Sequence, residues 1–174
     1  MVLRSKTFSS FDSLARLLQK ELALGKYDAL VHAAAVSDYS ATRLSDGAKD
    51  HVLPLNEKLS SQSKTINIEL KRNAKLINKF HNDVQGKRPQ LVGFKFTNTT
   101  NKKEREEQIK HLFDASRADL VVHNDKENRH ADEQTCFEVY CDANNQLASV
   151  KDAPELALVL EQALLSMRQK ESTR

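Results

Sequence analysis

The chain has 174 residues, of which 39% are hydrophobic and 29% are charged, so it is long enough for one globular domain with a hydrophobic core. Its 27 basic and 24 acidic residues are spread along the sequence, and no block of Lys and Arg indicates a nucleic-acid partner. No apolar run approaches the roughly twenty residues that span a bilayer, and the N-terminus lacks the apolar core of a signal peptide. We therefore expect a single cytoplasmic domain over residues 1–174, with no nucleic-acid or membrane partner.

The first predicted elements are a helix and a buried strand. Apolar side chains recur at helical spacing from Phe11 to Leu22, and Gly25 stands where such a helix would end. Residues 29–36, "ALVHAAAV", are apolar at successive positions, which favours a parallel strand covered by helices on both faces. The pattern predicts an α/β protein from its first forty residues.

A long polar segment follows this strand. Residues 37–58 contain one Gly and one Pro and exceed the roughly 12 to 15 residues of ordinary structureless connections, so we predict a lid-like loop. Residues 65–70, "TINIEL", alternate apolar and polar side chains and predict another strand. Asn73 then stands where it can cap a helix.

The second half of the chain repeats the alternation of strand and helix. Residues 91–96 and 118–124 predict strands on either side of a charged helix, and residues 135–151 predict a hairpin with a turn around Asn144 and Asn145. Asp152 and Glu155 resemble a capping box at the start of a final helix. The predicted fold is a doubly wound, mostly parallel, Rossmann-like α/β sheet that ends in a β-hairpin and a helix. Residues 29–36, 91–96 and 118–123 should be neighbouring parallel strands.

Sheets of this class bind ligands beyond the carboxyl ends of their strands, where several candidate residues fall. Asp38 can accept hydrogen bonds from a sugar hydroxyl or help hold a metal, or it can cap its own turn. Lys58 can reach a phosphate from the loop, or it can be an ordinary surface lysine. Asn73 can cap a helix or present backbone amides to a phosphate, and Phe94 can be a core residue or a stacking surface.

Several common kinds of site are disfavoured because the sequence lacks their motifs. The spacing of a closed zinc site is not found among His123, His130, Cys136 and Cys141, which argues against structural zinc. The sequence does not identify the ligands of any other metal. The two cysteines lie in one extended segment and indicate a reducing compartment. Neither a GxxxxGK[ST] nor a GxGxxG fingerprint occurs in a chain with four glycines, which argues against a nicotinamide-dependent reductase.

Five segments in order carry a family resemblance. They are "AAAVSDY" at residues 33–39, "EKLSS" at 57–61, "INIELKRNAKLI" at 66–77, "LVGFKF" at 91–96 and "ADLVVHND" at 118–125. Together they resemble phosphopantothenate-cysteine ligase, also called phosphopantothenoylcysteine synthetase. The resemblance implies a homodimeric enzyme of coenzyme A biosynthesis that joins 4'-phosphopantothenate to L-cysteine. CTP or ATP would activate the acid as an acyl-nucleotide with the help of Mg²⁺.

The resemblance also assigns roles to residues at matching positions. Lys58 would act catalytically by reaching the nucleotide phosphates, and Phe94 would line the base or ribose site. Lys110 and Arg117 would be possible phosphate contacts, in place of lysines that many bacterial members carry. The remaining nucleotide-binding positions would be Ala33, Ala34, Asp38, Asn73, Ala74, Lys75, Leu76 and Ile77.

The chain departs from the family at its start. Members usually begin with a strand, a Gly/Thr-rich turn and an Ile-Thr-Asn segment, whereas this chain begins with "MVLRSKTFSS". We therefore expect either the C-terminal part of a longer ligase or an N-terminally truncated product that lacks the first strand-helix unit. The rival hypothesis is a non-catalytic nucleotide-binding or interaction module derived from this family.

Overall fold

The computed structural model describes residues 4–47, 49–53, 55, 63–84, 86–130, 133–134 and 136–172. Contacts between Cα atoms divide the chain into two compact units. Unit 1 comprises Met1–Leu18 and Ala35–Leu76, and unit 2 comprises Gln19–Ala34 and Ile77–Arg174. That the whole chain forms a single domain stays a prediction.

Helices and strands alternate along much of the chain. The helices are α1 at Phe11–Leu22, α2 at Leu76–Asp83, α3 at Lys102–Ser116 and α4 at Ala153–Ser172, and a 3₁₀ turn covers Lys126–Asn128. The strands are β1 at Ala29–His32, β2 at Tyr39–Ser45, β3 at Asp50–Val52, β4 at Asn67–Arg72, β5 at Gln90–Thr97, β6 at Leu120–Asp125, β7 at Arg129–His130, β8 at Glu133–Gln134, β9 at Phe137–Asp142 and β10 at Asn145–Val150.

Unit 2 is built on a mixed five-stranded sheet with the order β1-β5-β6-β9-β10. β1 pairs parallel with β5, and β5 pairs parallel with β6, so the three predicted strands are neighbours and parallel as expected. β9 pairs antiparallel with β6, and β10 pairs antiparallel with β9 as the predicted C-terminal hairpin. The predicted α/β class, the hairpin and the final helix are confirmed.

Two hydrophobic clusters hold this sheet. The larger one joins the central strands to α4 through Val92, Val122, Val139, Leu156 and Leu160. The second cluster consists of Leu22, Phe80 and Leu91, with Leu30 and Ile77 packed against it. Because β5 and β6 are covered in this way, residues 91–93 and 120–123 are buried, whereas Phe96 near the end of β5 is 48% exposed.

Short polar contacts set the ends of two helices in unit 2. The side chain of Asn101 accepts hydrogen bonds from the first-turn amides of α3, as an N-cap residue does. Asp152 Oδ1 accepts from the Glu155 amide at 2.8 Å, while Glu155 Oε2 accepts from the Lys151 amide at 3.2 Å. The capping box predicted at the start of α4 is therefore present, except that Glu155 accepts from the amide of Lys151 instead of that of Asp152.

Unit 1 contains an antiparallel three-stranded sheet with the order β3-β2-β4. The expectation of an irregular loop over residues 37–58 is wrong for β2 and β3, which form strands, whereas the lid role stays a prediction. The segment "TINIEL" does form a strand, β4, but it pairs antiparallel with β2 rather than joining the parallel sheet. All six of its residues are exposed, although alternating side chains are typical of an antiparallel strand with one buried face.

β1 is shorter than the predicted strand of residues 29–36. Its pairing with β5 ends at His32, which lies opposite Gly93. Ala33 and Ala34 are exposed after that point. β5 itself continues to Thr97, so it is β1 that leaves the sheet early, which apolar composition does not reveal.

Candidate functional site

The carboxyl ends of β1, β5 and β6 lie at the same edge of the unit 2 sheet because the three strands are parallel. Ala33 and Ala34 lie at this edge, as the two residues that follow the pairing of His32 with Gly93. Burial lowers the pKa of His32, which favours its neutral form. The structure therefore brings the ends of two predicted nucleotide-binding segments, those around Ala33 and Phe94, to one edge.

Phe94 has one of its two predicted roles, that of a core residue. It is half-buried and packs against the cluster that contains Val92 and Val122. Its partner in the sheet is Val122 of β6. The additional role in lining a base or ribose site stays a prediction.

Asp38, Asn73 and Lys75 meet in unit 1, where the ends of β2 and β4 lie together. The Lys75 ammonium forms an ion pair with Asp38 Oδ1. The Asn73 amide donates to the Asp38 carbonyl at 2.8 Å, and its side-chain Nδ2 donates to the Ser37 carbonyl at 3.0 Å. Residues predicted from two distant motifs are thus hydrogen-bonded to each other.

The prediction that Asn73 caps a helix is wrong. α2 begins at Leu76, so Asn73 lies three residues before the helix and its side chain is used to bind Ser37. Ala74 and Lys75 lie between, and both are exposed. Ile77, in the first turn of α2, packs against Leu91 and its cluster. The predicted backbone contacts of residues 73–77 with a nucleotide stay a prediction.

The two possible phosphate contacts lie on or beside α3 in unit 2. Lys110 is exposed in a surface depression that is also lined by Glu107, His111 and Asp114. Arg117 ends α3 with a left-handed φ of 51°, and its carbonyl accepts a hydrogen bond from Arg88 at 3.2 Å. Arg117 therefore lies near the amino end of β6, at the edge opposite the one formed by the strand ends. Lys58, the predicted catalytic lysine, lies outside the described residues.

The most developed polar cluster in unit 2 was not predicted. At the ends of β5 and β6, Thr97 Oγ1 lies 2.8 Å from His123 Nε2 and donates to Asp125 Oδ2. His123 Nδ1 lies 2.8 Å from Glu138 Oε2, which also accepts from the Tyr140 hydroxyl at 3.1 Å. Thr97, His123 and Asp125 are at most 2% exposed. Glu138 and Tyr140 are half-buried, and we call these five residues the buried relay after the three at its centre.

The carboxylates of the buried relay are held in their charged form. Burial acts to raise the pKa of Asp125, but hydrogen bonds from the Glu127 amide and the Thr97 hydroxyl, with the charge of His123, outweigh it and lower that pKa. The hydrogen bond with His123 is the main cause of the lowered pKa of Glu138, against the opposing effect of burial. Both side chains therefore remain hydrogen-bond acceptors.

The local sequence contained only part of the signal for this relay. Asp125 Oδ1 accepts from the Glu127 amide two residues later, at 3.0 Å, which is a turn that an Asp after a strand forms from local sequence. The link from Thr97 through His123 to Glu138 joins three strands that are far apart in sequence. Polar residues at the ends of apolar strands were the available hint, but their pairing depends on register.

Side chains that bind metals are not gathered into clusters in the described part of the chain. Within it, no group of three or more His, Cys, Asp or Glu side chains could hold a metal ion. A Mg²⁺ ion that arrives with nucleotide phosphates needs only one or two protein carboxylates, because water and phosphate supply its other ligands. Among the described helices, none is both long and apolar enough to cross a membrane.

The family of the chain follows from comparison with known proteins. Residues 8–162 match the family model described as the DNA/pantothenate metabolism flavoprotein C-terminal domain. The chain belongs to this family. The match covers most of the sequence and confirms the resemblance detected in the five motifs, whereas the curated proteins contain no match to the chain.

Several solved structures share the fold of the chain. A DNA/pantothenate metabolism flavoprotein from Streptococcus pneumoniae superimposes with a TM-score of 0.71 at 21% identity, covering 92% of this chain and 71% of that one. The C-terminal domain of the coenzyme A biosynthesis bifunctional protein CoaBC gives 0.58 at 16% identity, with 93% and 65% coverage. A Cab2 mutant in complex with phosphopantothenate-cysteine gives 0.57 at 14% identity, with 92% and 54% coverage. This chain spans only part of each.

Proposed function

We propose that the chain acts in the ligation of 4'-phosphopantothenate to L-cysteine in coenzyme A biosynthesis. The observation that carries the proposal is the family match over residues 8–162. It is supported by the likeness in fold to a Cab2 mutant bound to phosphopantothenate-cysteine and to a CoaBC domain of coenzyme A biosynthesis. The strand ends gathered at one edge of unit 2 are where sheets of this class bind ligands.

The proposed reaction has two steps. A carboxylate oxygen of 4'-phosphopantothenate attacks the α-phosphorus of CTP or ATP, and the bond to pyrophosphate breaks. The cysteine amine then attacks the acyl carbon, the bond to the nucleoside monophosphate breaks, and the amine loses a proton. Transfers of this kind need positioned cations and little acid-base chemistry, because charge builds up on phosphate oxygens.

Asp38, Lys75 and Lys58 would have different roles in this reaction. Asp38 is oriented by the Lys75 ammonium and by a backbone hydrogen bond from Asn73, so its carboxylate is positioned before any ligand binds. We propose that it accepts hydrogen bonds from the nucleotide. Lys58 would stabilise charge on the phosphates as they react. Mg²⁺ would supply further charge neutralisation when bound with the nucleotide.

The test of this proposal is a coupled measurement of both steps. Pyrophosphate release is followed with 4'-phosphopantothenate, Mg²⁺ and either CTP or ATP, and the ligated product is identified by mass spectrometry after L-cysteine is added. We expect turnover with one nucleotide to exceed turnover with the other. Nucleotide binding by calorimetry without pyrophosphate release would instead favour the non-catalytic module. Sedimentation velocity in the same buffer tests the proposed homodimer.

The proposed role of Lys58 predicts a selective loss of rate. In a preparation that turns over, Lys58→Ala should lower the rate of acyl-nucleotide formation by roughly two to three orders of magnitude, because a cation contributes most where transition-state charge develops. Nucleotide affinity should change much less. Lys64→Ala, which removes an exposed lysine a few residues away, is the matched control and should keep the wild-type rate. An unchanged rate in Lys58→Ala would remove Lys58 from the mechanism.

Asp38 and Lys75 allow the carboxylate to be tested apart from its ion pair. Asp38→Asn removes the charge that would contact the nucleotide, so nucleotide affinity should fall. Lys75→Met breaks the same ion pair but keeps the carboxylate, so affinity should fall less. If the two substitutions weaken nucleotide binding equally, the ion pair rather than the Asp38 carboxylate is responsible.

A further inference from the structure

His32 is the last residue of β1 and lies at the edge where the carboxyl ends of three parallel strands meet. Sheets of this class bind their ligands beyond that edge. Ala33 and Ala34, the two positions that follow His32, are predicted to contact the nucleotide. The two reaction steps proposed for this site give no role to His32, so a titratable side chain beside the predicted nucleotide contacts has no assigned function.

The ring of His32 is half-buried because of the face on which it lies. Paired residues of neighbouring strands point to the same face of a sheet, and His32 pairs with Gly93. The space above Gly93 on this face is occupied by Ile77 of α2 and Leu112 of α3. Burial is the cause of the lowered pKa of His32, and no charged side chain of the described residues contributes to it. The ring is therefore a neutral imidazole at neutral pH.

The nitrogens of this ring are not used by the fold. None of the hydrogen bonds and ion pairs of the described residues involves the His32 side chain, and neither ring nitrogen is enclosed without a partner. His81 differs, because its Nε2 lies 2.7 Å from the Ser116 carbonyl, and His123 belongs to the buried relay. A neutral imidazole has one nitrogen that can accept a proton. In His32 that nitrogen remains available to a ligand.

The other titratable side chains of these strand ends are unsuited to accept a proton. Along β1, β5 and β6 they are Lys95, His123 and Asp125. Lys95 is a cation and has no acceptor. His123 and Asp125 are at most 2% exposed, and both contact the Thr97 hydroxyl. His32 is thus the accessible base of these three strands.

The second step of the proposed reaction requires a proton to leave nitrogen. As the cysteine amine attacks the acyl carbon, its nitrogen gains positive charge and its N–H becomes acidic. A base that is unprotonated at the operating pH and within hydrogen-bond reach suits this transfer. The first step, in which a carboxylate attacks phosphorus, moves no proton and needs no such base. A base at this edge should therefore affect the two steps differently.

We propose that His32 is a catalytic residue of the second step, in which a ring nitrogen contacts the attacking amine and accepts its proton. The C–N bond forms, and the bond between the acyl carbon and oxygen breaks as the nucleoside monophosphate leaves with the electron pair. The imidazolium then returns its proton to water. This inference rests on the proposed ligase function and adds to it the residue that acts on the amine rather than on the phosphates.

Single-turnover measurements separate the two steps. Without cysteine, His32→Gln should release pyrophosphate at the wild-type rate. At saturating cysteine, consumption of the acyl-nucleotide should fall roughly a hundred- to ten-thousandfold, because the general base is lost. With hydroxylamine, a less basic amine whose adduct loses its proton to water more readily, the fall should be much smaller. His111→Gln, which changes an exposed histidine of α3, is the matched control and should keep both rates.

His32→Ala provides a second readout if glutamine disturbs the packing at this position. Added imidazole should restore part of its reaction with cysteine, a response that a purely structural role would not give. Equal losses with cysteine and hydroxylamine, or a wild-type rate with cysteine, would overturn the role of His32. Absence of pyrophosphate release from the wild-type protein with both CTP and ATP would instead overturn the proposed function on which that role rests.

Discussion

β4 in unit 1 and β6 in unit 2 are strands of six residues with opposite environments. All six residues of β4 are exposed, including Ile68 at 56% and Leu70 at 58%. In β6, Leu120, Val121 and Val122 have no exposed surface. Both strands contain β-branched or leucine side chains, Ile68 and Leu70 in β4 and residues 120–122 in β6, so residue type alone does not explain why the apolar pair of β4 is exposed.

The difference comes from what covers each strand. β6 lies between two neighbouring strands, and α4 packs against the cluster that contains Leu120 and Val122. β4 is at the edge of its sheet and pairs with β2 on one side only. Apolar side chains stabilise a fold in proportion to the surface that they remove from water, so the two strands should contribute very differently.

The largest expected contrast is between Leu120→Ala and Leu70→Ala. Removing the buried Leu120 side chain should lower the free energy of unfolding by about 2 to 5 kcal/mol, because it leaves a cavity in a packed core. Leu70→Ala should change it by about 0.5 kcal/mol or less. Urea unfolding followed by circular dichroism measures both. Losses of similar size would mean that the exposed face of β4 is covered in solution.

The loss of stability at acidic pH should depend on the buried relay. The pKa of Asp125 and that of Glu138 are lowered in the fold, so their contribution is present above the unfolded values near 4 and is lost as pH falls through the lowered values. Asp125→Asn should cost about 1.5 to 3 kcal/mol at pH 7 and flatten the decline below pH 5. Thermal unfolding from pH 3 to 7 measures this slope. Glu161→Gln is the exposed control, and a slope that persists in Asp125→Asn would refute the assignment.

Gly93 and Gly47 should respond to substitution for opposite reasons. A Cβ at Gly93 would lie 3.0 Å from Ile77 Cδ1 and 3.3 Å from Leu112 Cδ2, so Gly93→Ala should cost about 1 to 3 kcal/mol through overpacking. Gly47 has a φ of 86° and open space around it, so Gly47→Ala should cost about 1 kcal/mol through backbone strain.

Asparagine distinguishes the two effects because it tolerates positive φ but is larger than alanine. At Gly47, asparagine should destabilise less than alanine, whereas at Gly93 it should destabilise more. The midpoint of urea unfolding for the four variants measures this ranking. The same ranking at both positions would contradict the comparison.

The smallest expected effect concerns the exposed ion pair of unit 1. Lys75 and Asp38 have side chains that are 54% and 55% exposed, so water and salt screen their attraction. A double-mutant cycle with Lys75→Met and Asp38→Asn should give a coupling of about 0.2 to 1 kcal/mol that declines in 1 M NaCl. A larger coupling that resists salt would indicate that this pair is shielded in solution.

Local pattern predicted the elements of unit 2 well. The three parallel strands, the helix over residues 102–116 and the capping box at Asp152 all depend on signals within about twenty residues. The strands β2 and β3 were missed because their residues are polar and their pairing with each other and with β4 is not visible locally. Asn73 was predicted to cap a helix because an asparagine side chain suits both a helix start and a hydrogen bond to a distant backbone carbonyl, here that of Ser37.

The sequence by itself determined which segments are apolar enough to form a parallel core and which family motifs the chain carries, since both depend on residue type and order. Only the tertiary structure decided that β4 stays exposed while β6 is buried, that Asp38 meets Lys75, and that His123 lies between Thr97 and Glu138. Burial and hydrogen-bond partnership depend on register and on covering elements contributed by distant residues. A hydrogen-bonded cluster whose members come from three strands therefore has no signature in any one of them.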